Sequence, residues 1–253
     1  MSKQFKATSA EPPKAPKFTL DFVDAKADTL DGFEQITQNT MAIPFVRILQ
    51  KLSPQLDKQK PEYVPQAEEG HFFNTITKEV YGSSFTCIAL KFERVYIEWR
   101  PNRGGFVGYH SVDNAERLAV DKTFGNWTTK DGNLLQENYV YLLIIEGHEN
   151  EGLVVLSLSS SMIKMAREWN RLMLTHVMDN GQKARPYYLV WNIRSEYRSN
   201  EKGNWYVPTV SFARYINQEQ YIVAARERKS LPSRQIDYTQ IEAKSDAVNS
   251  TEY

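Results

Sequence analysis

Residues 185–215 read RPYYLVWNIRSEYRSNEKGNWYVPTVSFARY and predict a β-hairpin, with SNEKG as the turn between two strand-forming runs. This stretch holds eight of the 31 aromatic residues of the chain (Trp 5, Tyr 14, Phe 12), and five basic residues lie among them. Single-stranded nucleic acid requires this combination, because bases stack on aromatic rings while Lys and Arg bind phosphates. A packed hairpin with a solvated outer face would have the same composition.

Alternation along the first strand of this hairpin, residues 187–197, separates a core side from an outer side. The almost wholly apolar side is expected to face the core, and it comprises Tyr187, Leu189, Trp191, Ile193 and Tyr197. The opposite side carries Tyr188, Val190, Asn192, Arg194 and Arg198. The tyrosine and the two arginines on that side are therefore candidates for contact with a ligand.

The second strand, residues 204–215, contains Pro208. Proline donates no hydrogen bond to a neighbouring strand, so this strand is expected at a sheet edge or at a bulge. Trp205 follows the turn at Lys202 and Gly203 and is the residue of this strand predicted to stack on a base.

Four further segments upstream predict strands. Residues 85–92 and 95–100 predict a strand pair joined near Glu93-Arg94, and residues 138–146 and 152–158 predict a second pair. A glycine-rich loop, RGGFVG, follows the first pair and would let a ligand backbone approach closely.

Three segments predict helices. Residues 43–52 place apolar side chains at helical spacing after Pro44, and residues 162–178 do so over four turns behind three serines that can cap a helix. Residues 218–229 predict a last helix. Basic side chains on the middle helix form a stripe that could follow a phosphate backbone or keep the helix soluble: Lys164, Arg167 and Arg171.

Antiparallel strands, then one helix, then a hairpin is the connectivity of an OB-fold. The sequence therefore predicts a β-rich α+β protein with an OB-fold-like antiparallel barrel, a helix between strands and peripheral helices. We expect a disordered N-terminal tail over residues 1–17, one OB-like domain with insertions over residues 18–229, and a flexible, mildly acidic tail over residues 230–253.

Composition fits an ordinary globular protein of 253 residues, with 41% hydrophobic and 25% charged residues. The single cysteine, Cys87, excludes an intramolecular disulfide and suits a reducing cytoplasm. No signal peptide or membrane-spanning run is apparent, so a cytoplasmic protein is expected. The net charge is zero, yet residues 160–229 carry twelve basic and six acidic groups. Phosphates respond to this local excess rather than to the total.

Catalytic motifs are missing from the sequence: it has no Walker loop, GxGxxG, HExxH or nucleophile elbow, and its four histidines are scattered. We therefore expect a non-catalytic protein without a cofactor or a metal ion. Carboxylates that converge from distant positions escape such a search, so a metal-dependent nuclease stays an alternative.

Several segments resemble a family of bacteriophage-encoded proteins associated with DNA replication and single-stranded DNA binding. They are IPFVRILQKLSPQ, EEGHFFNT, YIEWRP with GGFVG, and NEKGNWY, and the resemblance covers residues 40–215. It implies an OB-like single-strand binding or annealing protein in the host cell cytoplasm. Such proteins often end in an acidic tail with a terminal aromatic that recruits replication proteins. Here Glu252-Tyr253 follows only a dilute acidic stretch.

These observations predict a protein that coats single-stranded DNA without strong sequence preference in phage replication or recombination. The residues predicted to stack on bases are Tyr96, Trp99, Tyr188 and Trp205. The residues predicted to bind phosphates are Arg94, Arg100, Arg103, Lys164, Arg167, Arg171, Arg194, Arg198 and Lys202. The main alternative is a virion or assembly protein whose hairpin packs on another subunit, because aromatics and arginine are also enriched at protein interfaces. A homo-oligomer is compatible with both hypotheses.

Overall fold

A computed structural model describes residues 42–123, 126–201, 203–233 and 236–242, which all fall in one compact unit. The predicted N-terminal tail, the residues after 242 and Lys202 lie outside the described residues. The strands are β1 (Phe45–Ile48), β2 (Phe72–Asn74), β3 (Val80–Gly82), β4 (Ser84–Trp99), β5 (Phe106–Ser111), β6 (Ala119–Thr123), β7 (Asn126–Thr129), β8 (Leu134–Ile145), β9 (Val154–Ser159), β10 (Leu189–Asn200) and β11 (Gly203–Tyr215). The α-helices are α1 (Val112–Leu118), α2 (Ile163–Thr175), α3 (Gln218–Ser230) and α4 (Thr239–Glu242).

The described strands form one sheet in the order β11-β10-β4-β8-β9-β1-β2-β3. Strand β5 pairs with the second half of β4, and the β6–β7 hairpin extends the sheet from β8. Neighbours are antiparallel except for β1 and β9, which are parallel. The chain is therefore β-rich with a few helices, as predicted, and β11 lies at a sheet edge, as Pro208 indicates.

The sheet curls into an open half-barrel. Phe72 on β2 and Phe85 on β4 are separated by three strands in the sheet order, yet their ring centroids are 4.8 Å apart. The side chain of Gln50, which follows β1, makes two hydrogen bonds to the backbone of Tyr206 on β11. Gln50 Nε2 donates to the Tyr206 carbonyl oxygen at 2.9 Å, and Gln50 Oε1 accepts from the Tyr206 N–H at 2.9 Å. One side chain therefore ties the chain after β1 to the distant edge strand.

Helix α2 fills the concave face of this curl. Trp169 stacks on Tyr141 of β8 with ring centroids 4.3 Å apart, and it meets the edge of Trp191 on β10 at 6.1 Å. All three rings are buried, together with Ala166 and Met173 of the same helix. The predicted helix and its core-facing stripe are confirmed, and the core prediction for Trp191 is confirmed with them.

Helix α3 and the segment after it cover the convex face. Ala224, Ile236 and Tyr238 are buried there. The Tyr238 hydroxyl donates to Glu93 on β4 at 2.6 Å, and its ring lies 4.5 Å from that of Tyr109 on β5. Residues 236–242 are therefore packed on the sheet, where Ile236 and Tyr238 are buried. The sequence predicts a flexible tail from residue 230, because these two side chains stand in an otherwise polar stretch.

The predicted helix over residues 43–52 is wrong, since Phe45–Ile48 is strand β1. Phe45 belongs to the convex core and Val46 to the concave core, so both faces of this strand are buried. A strand covered on both faces shows no apolar–polar alternation, and its spacing can imitate that of a helix.

The predicted turn at Glu93-Arg94 is also wrong, because β4 runs through it as one 16-residue strand. Lys91 lies 2.5 Å from Glu93, and Arg94 lies 2.5 Å from Glu137 on β8. These ion pairs let charged residues occupy the middle of a strand. The hairpins β8–β9 and β10–β11 and helix α3 are confirmed close to their predicted bounds.

Candidate nucleic-acid interface

A row of alternating aromatic and basic side chains lies on the concave side of β4. Phe92, Arg94 and Tyr96 follow one another on that face, opposite Tyr141, Tyr139 and Glu137 of β8 in register. Phe92 is 39% exposed, and its ring lies 5.3 Å from that of Tyr139. Phe92 therefore offers an accessible ring beside a guanidinium group.

Two arginines from different elements converge on one carboxylate in this row. Arg94 Nε of β4 lies 2.5 Å from Glu137 Oε1, and Arg167 Nη2 of α2 lies 3.5 Å from Glu137 Oε2. Arg94 Nη2 donates to the Tyr96 hydroxyl at 2.8 Å, and Arg167 Nε donates to the Tyr139 hydroxyl at 3.4 Å. The structure thus brings together two residues that lie far apart in the sequence and are both predicted to bind phosphate.

Trp127 on β7 completes this surface. Its ring stacks on Tyr96 with centroids 4.8 Å apart and planes 19° apart, and Lys122 Nζ of β6 lies 5.1 Å from its ring centroid. Sequence reasoning missed both residues, although a tryptophan in DKTFGNWTTK, a short polar hairpin, is itself a signal. We name this surface the basic–aromatic cluster, and its members are Phe92, Arg94, Tyr96, Lys122, Trp127, Glu137, Tyr139 and Arg167.

Tyr96 and Trp99, both predicted to stack on bases, are buried with 3% and 1% exposure. Trp99 lies in the convex core, where its indole N–H donates to Gln136 at 3.0 Å. Burial raises the pKa of Tyr96, so its hydroxyl keeps its proton. Neither ring has a free face for a base, and within the cluster Phe92 and Trp127 are the rings that could take that role.

The second group of predicted residues lies at the outer half of the β10–β11 hairpin, which we name the hairpin tip (Arg194, Arg198 and Trp205). Arg198 is directly opposite Trp205 in register, so the two side chains share a face. Trp205 is half-buried, and Arg194 and Arg198 are exposed. Arg198 also pairs with Glu196 at 2.8 Å.

The hairpin tip overhangs the sheet, because the pairing of β10 with β4 ends at Arg194 and Ser84. Tyr197, which the alternation assigns to the core, is 54% exposed for this reason. Its ring packs instead on the edge of Tyr206 across the hairpin, with centroids 5.5 Å apart.

The two groups do not form one surface. Measured along the strands, from Arg94 to Ser84 on β4 and from Arg194 to Arg198 on β10, the path between them is roughly 45 Å at a rise of about 3.3 Å per residue. They also lie on opposite faces, since Ile193 is in the concave core and its neighbour Arg194 points the other way. A single base stack cannot join them.

The remaining predicted residues are dispersed. Lys164 and Arg171 are exposed on α2, one turn on either side of Arg167. Arg100 is exposed and directly precedes the short 3₁₀ turn Pro101–Arg103, and Arg103 is the last residue of that turn. Tyr188 lines a shallow groove of about 340 Å³, which is formed by Met178, Tyr188, Tyr215, Ile216, Asn217, Gln218 and Tyr221.

Two carboxylates, one buried and one partly buried, hold strands and turns together. Glu98 accepts from Asn133 at 2.7 Å and lies 2.7 Å from His110 Nε2. Glu151 accepts from the Tyr81 hydroxyl at 2.6 Å, and burial together with this bond raises the pKa of Tyr81, which keeps it a donor. Among the described residues, no three His, Cys, Asp or Glu side chains are placed to hold a metal ion.

Comparison with known proteins adds one finding. A family model described as Pam3 phage gp34-like protein matches residues 12–237. The chain belongs to this family. Membership in the Pam3 phage gp34-like family indicates a phage protein and confirms that part of the resemblance seen in the sequence. No curated protein and no solved structure matches the chain. In the described part of this family member, no helix has the length and apolar character needed to cross a membrane.

Proposed function

We propose that the chain is a non-catalytic, single-stranded DNA-binding protein that acts in phage replication or recombination. The observation that carries this proposal is the convergence of Arg94 and Arg167 beside the accessible ring of Phe92. Single-strand binding combines a basic groove that follows the backbone with rings on which successive bases stack. The basic–aromatic cluster offers basic side chains and aromatic rings on one face of a curled sheet, and its residues come from five separate elements.

In this proposal the phosphates are bound by Arg94 of β4 and by the basic side chains of α2, which are Lys164, Arg167 and Arg171. Lys164 and Arg171 extend the charge of Arg167 along the helix, so the bound strand follows α2. Bases stack on Phe92, and on Trp127 once the Lys122 ammonium group moves away from its ring. Each base stack contributes about 1–3 kcal/mol.

The hairpin tip supplies a second, separate contact in the same proposal. Trp205 would stack one base while Arg198 binds a neighbouring phosphate, as their cross-strand position allows. A strand long enough to reach both groups would be held at two places, and a shorter strand would be held at one.

The OB-like fold is part of the proposal. The curled antiparallel sheet, with α2 between β9 and β10 in the chain, supports it. OB-folds bind oligonucleotides on one face of such a sheet and through its loops. Recruitment of replication proteins by the residues after 242, residence in the host cytoplasm and the lack of catalysis also remain proposals.

The test is a titration of a fluorescein-labelled oligo(dT) of about 30 nucleotides, followed by anisotropy at about 50 and 300 mM salt. We expect salt-sensitive binding, micromolar or tighter at the lower salt, because phosphate contacts release counterions. The double variant Arg94→Gln/Arg167→Gln should bind at least tenfold more weakly. Its slope of log affinity against log salt should be shallower by about 0.7, the value for one single-strand phosphate, because the two guanidinium groups converge on one position.

The control for charge is Lys58→Gln/Lys60→Gln, which removes two exposed lysines from a loop outside the cluster. It should bind like the parent protein. Absence of binding by the parent protein at about 50 mM salt contradicts the proposal. Incubation of labelled single strands with Mg²⁺ addresses the nuclease alternative, and cleavage would show that the protein is an enzyme.

A virion or assembly protein is the second candidate, and exposed apolar side chains favour it. Leu174 near the end of α2, Val177 just after it, and Tyr221 and Ile222 of α3 are exposed, and Tyr221 lines the groove. Patches of this kind mark protein interfaces. Sedimentation velocity should then show a concentration-dependent oligomer that Tyr221→Ser/Ile222→Ser disrupts, with no response of tryptophan fluorescence to oligo(dT).

A further inference from the structure

The carboxylate of Glu137 occupies a site that is built for an anion. Both of its oxygens face guanidinium groups, one from the sheet and one from α2, and its side chain is only 18% exposed. Bidentate or bridging contacts with arginine are also the usual way in which proteins hold phosphate. The free protein therefore presents its two convergent arginines already neutralised in part by its own acid.

The site also has more hydrogen-bond donors than one carboxylate requires. The hydroxyls of Tyr96 and Tyr139 accept from Arg94 and Arg167, and each keeps a proton of its own to donate. Two forked guanidinium groups and two hydroxyls around one position suit a tetrahedral oxyanion better than a planar carboxylate. A phosphodiester has the required charge and oxygens.

We infer that Glu137 is a built-in competitor of a nucleic-acid phosphate. In the free protein it holds Arg94 and Arg167 in place, and on binding a phosphate takes its position while the carboxylate turns to solvent. This inference rests on the proposed function. It adds a residue that determines specificity, because displacing Glu137 requires an anion that gains further contacts nearby.

This arrangement favours polymers over single anions. A free phosphate ion gains contacts at this position alone, whereas a strand also meets Lys164 and Arg171 on the same helix. Glu137 would thus keep small cellular anions off the arginines while admitting single-stranded DNA. If Glu137 has only a structural role and holds α2 against the sheet, replacing it should lower the affinity for single-stranded DNA, because the site would become disordered.

The experiment compares the parent protein with Glu137→Gln, Glu137→Asp and Glu62→Gln in the oligo(dT) titration at about 50 mM salt. Glu137→Gln should bind about fivefold tighter, the size of one unit charge about 4 Å away in water. Its salt slope should be steeper by about 0.7. Sodium phosphate should displace oligo(dT) from this variant at lower concentration than from the parent protein. Glu62 is exposed in a loop, so Glu62→Gln removes the same charge elsewhere and should change affinity by less than about twofold.

Glu137→Asp keeps the charge but shortens the side chain, so it should no longer bridge both arginines and should bind more tightly than the parent protein. Thermal unfolding shows whether each variant is folded. If Glu137→Gln is unfolded, the affinity of Glu137→Asp for oligo(dT) tests the inference. Unchanged or weaker binding by the folded Glu137 variants, with normal binding by the parent protein, overturns this inference alone. An equal gain in Glu62→Gln also overturns it. Absence of binding by every protein, the parent included, overturns the proposed function itself.

Discussion

The basic–aromatic cluster and the hairpin tip contain the same kinds of side chain in different settings. In the hairpin tip, Arg198 and Trp205 are neighbours because one turn folds two strands together. In the cluster, Arg94, Trp127 and Arg167 are brought together because strands β4, β7 and β8 meet helix α2. The first kind of site can be identified from residues that are close in the sequence, whereas the second can be identified only from the three-dimensional structure. In the second, Arg94, Trp127 and Arg167 each contact another side chain of the cluster.

The largest expected effect separates the two regions by stability. Trp169 is fully buried between Tyr141 and Trp191, so Trp169→Ala should lower the free energy of unfolding by about 3–5 kcal/mol. Because α2 carries Arg167, the cluster should be lost with it. Trp205→Ala, at the overhanging tip, should cost less than about 1 kcal/mol. Urea denaturation followed by circular dichroism measures both, and equal losses would contradict the distinction.

The next largest effect concerns affinity for oligo(dT). Replacing Trp127 with Leu removes a ring on which a base can stack and should weaken binding by about 1–3 kcal/mol. Phe92→Leu is expected to act in the same direction. If Trp205→Leu weakens binding more than Trp127→Leu in the same anisotropy assay, the hairpin tip, and not the cluster, is the main contact.

A smaller effect is expected from the arginines of the hairpin tip. Arg194→Gln/Arg198→Gln should weaken binding of an oligo(dT) of about 30 nucleotides by less than Arg94→Gln/Arg167→Gln does. Arg94 and Arg167 converge on one position, whereas Arg194 and Arg198 are four residues apart on one strand, about 13 Å, and act separately. With an oligonucleotide of about 4 nucleotides, which is too short to reach across roughly 45 Å, the tip variant should bind like the parent protein. A matching loss for both lengths would show that the two regions act as one.

The smallest expected effect is local. Gln50→Ala removes two hydrogen bonds to Tyr206 and should lower stability by about 1–2 kcal/mol. The amide of Tyr206 should exchange with solvent much faster, while amides of β4 at Arg94 should not change. Hydrogen exchange measured by NMR or mass spectrometry distinguishes the two. Faster exchange at both Tyr206 and Arg94 would show that the hydrogen bonds of Gln50 to Tyr206 stabilise the whole curled sheet.

Local patterns predicted some parts of this fold and missed others for identifiable reasons. The β10–β11 hairpin, α2 and α3 follow from turn residues, caps and an apolar stripe, which are all features of neighbouring residues. Strand β1 was not predictable, because Phe45 and Val46 face two different cores. The continuity of β4 was not predictable either, since the partner of Arg94 is Glu137, 43 residues away.

The candidate site follows the same rule. Arg94 and Arg167 were predicted individually from charge, but nothing in the sequence places them on one carboxylate. Tyr96 and Trp99 were predicted to stack because they are aromatic and precede the loop with Arg100, Arg103 and two glycines. Only the fold shows that Trp127 covers Tyr96 and that the convex core covers Trp99. Exposure of an aromatic ring depends on elements distant in the chain.

The bridge from Gln50 to Tyr206 has a consequence for how the protein avoids unwanted assembly. A glutamine side chain carries one amide, so it presents a donor and an acceptor much as a peptide unit does. At Tyr206 it takes the place that a strand from another molecule would otherwise occupy, and Pro208 removes the donor two residues further on. Gln50 and Pro208 together therefore block two positions of the edge strand, Tyr206 and Pro208, against pairing with a strand of another molecule.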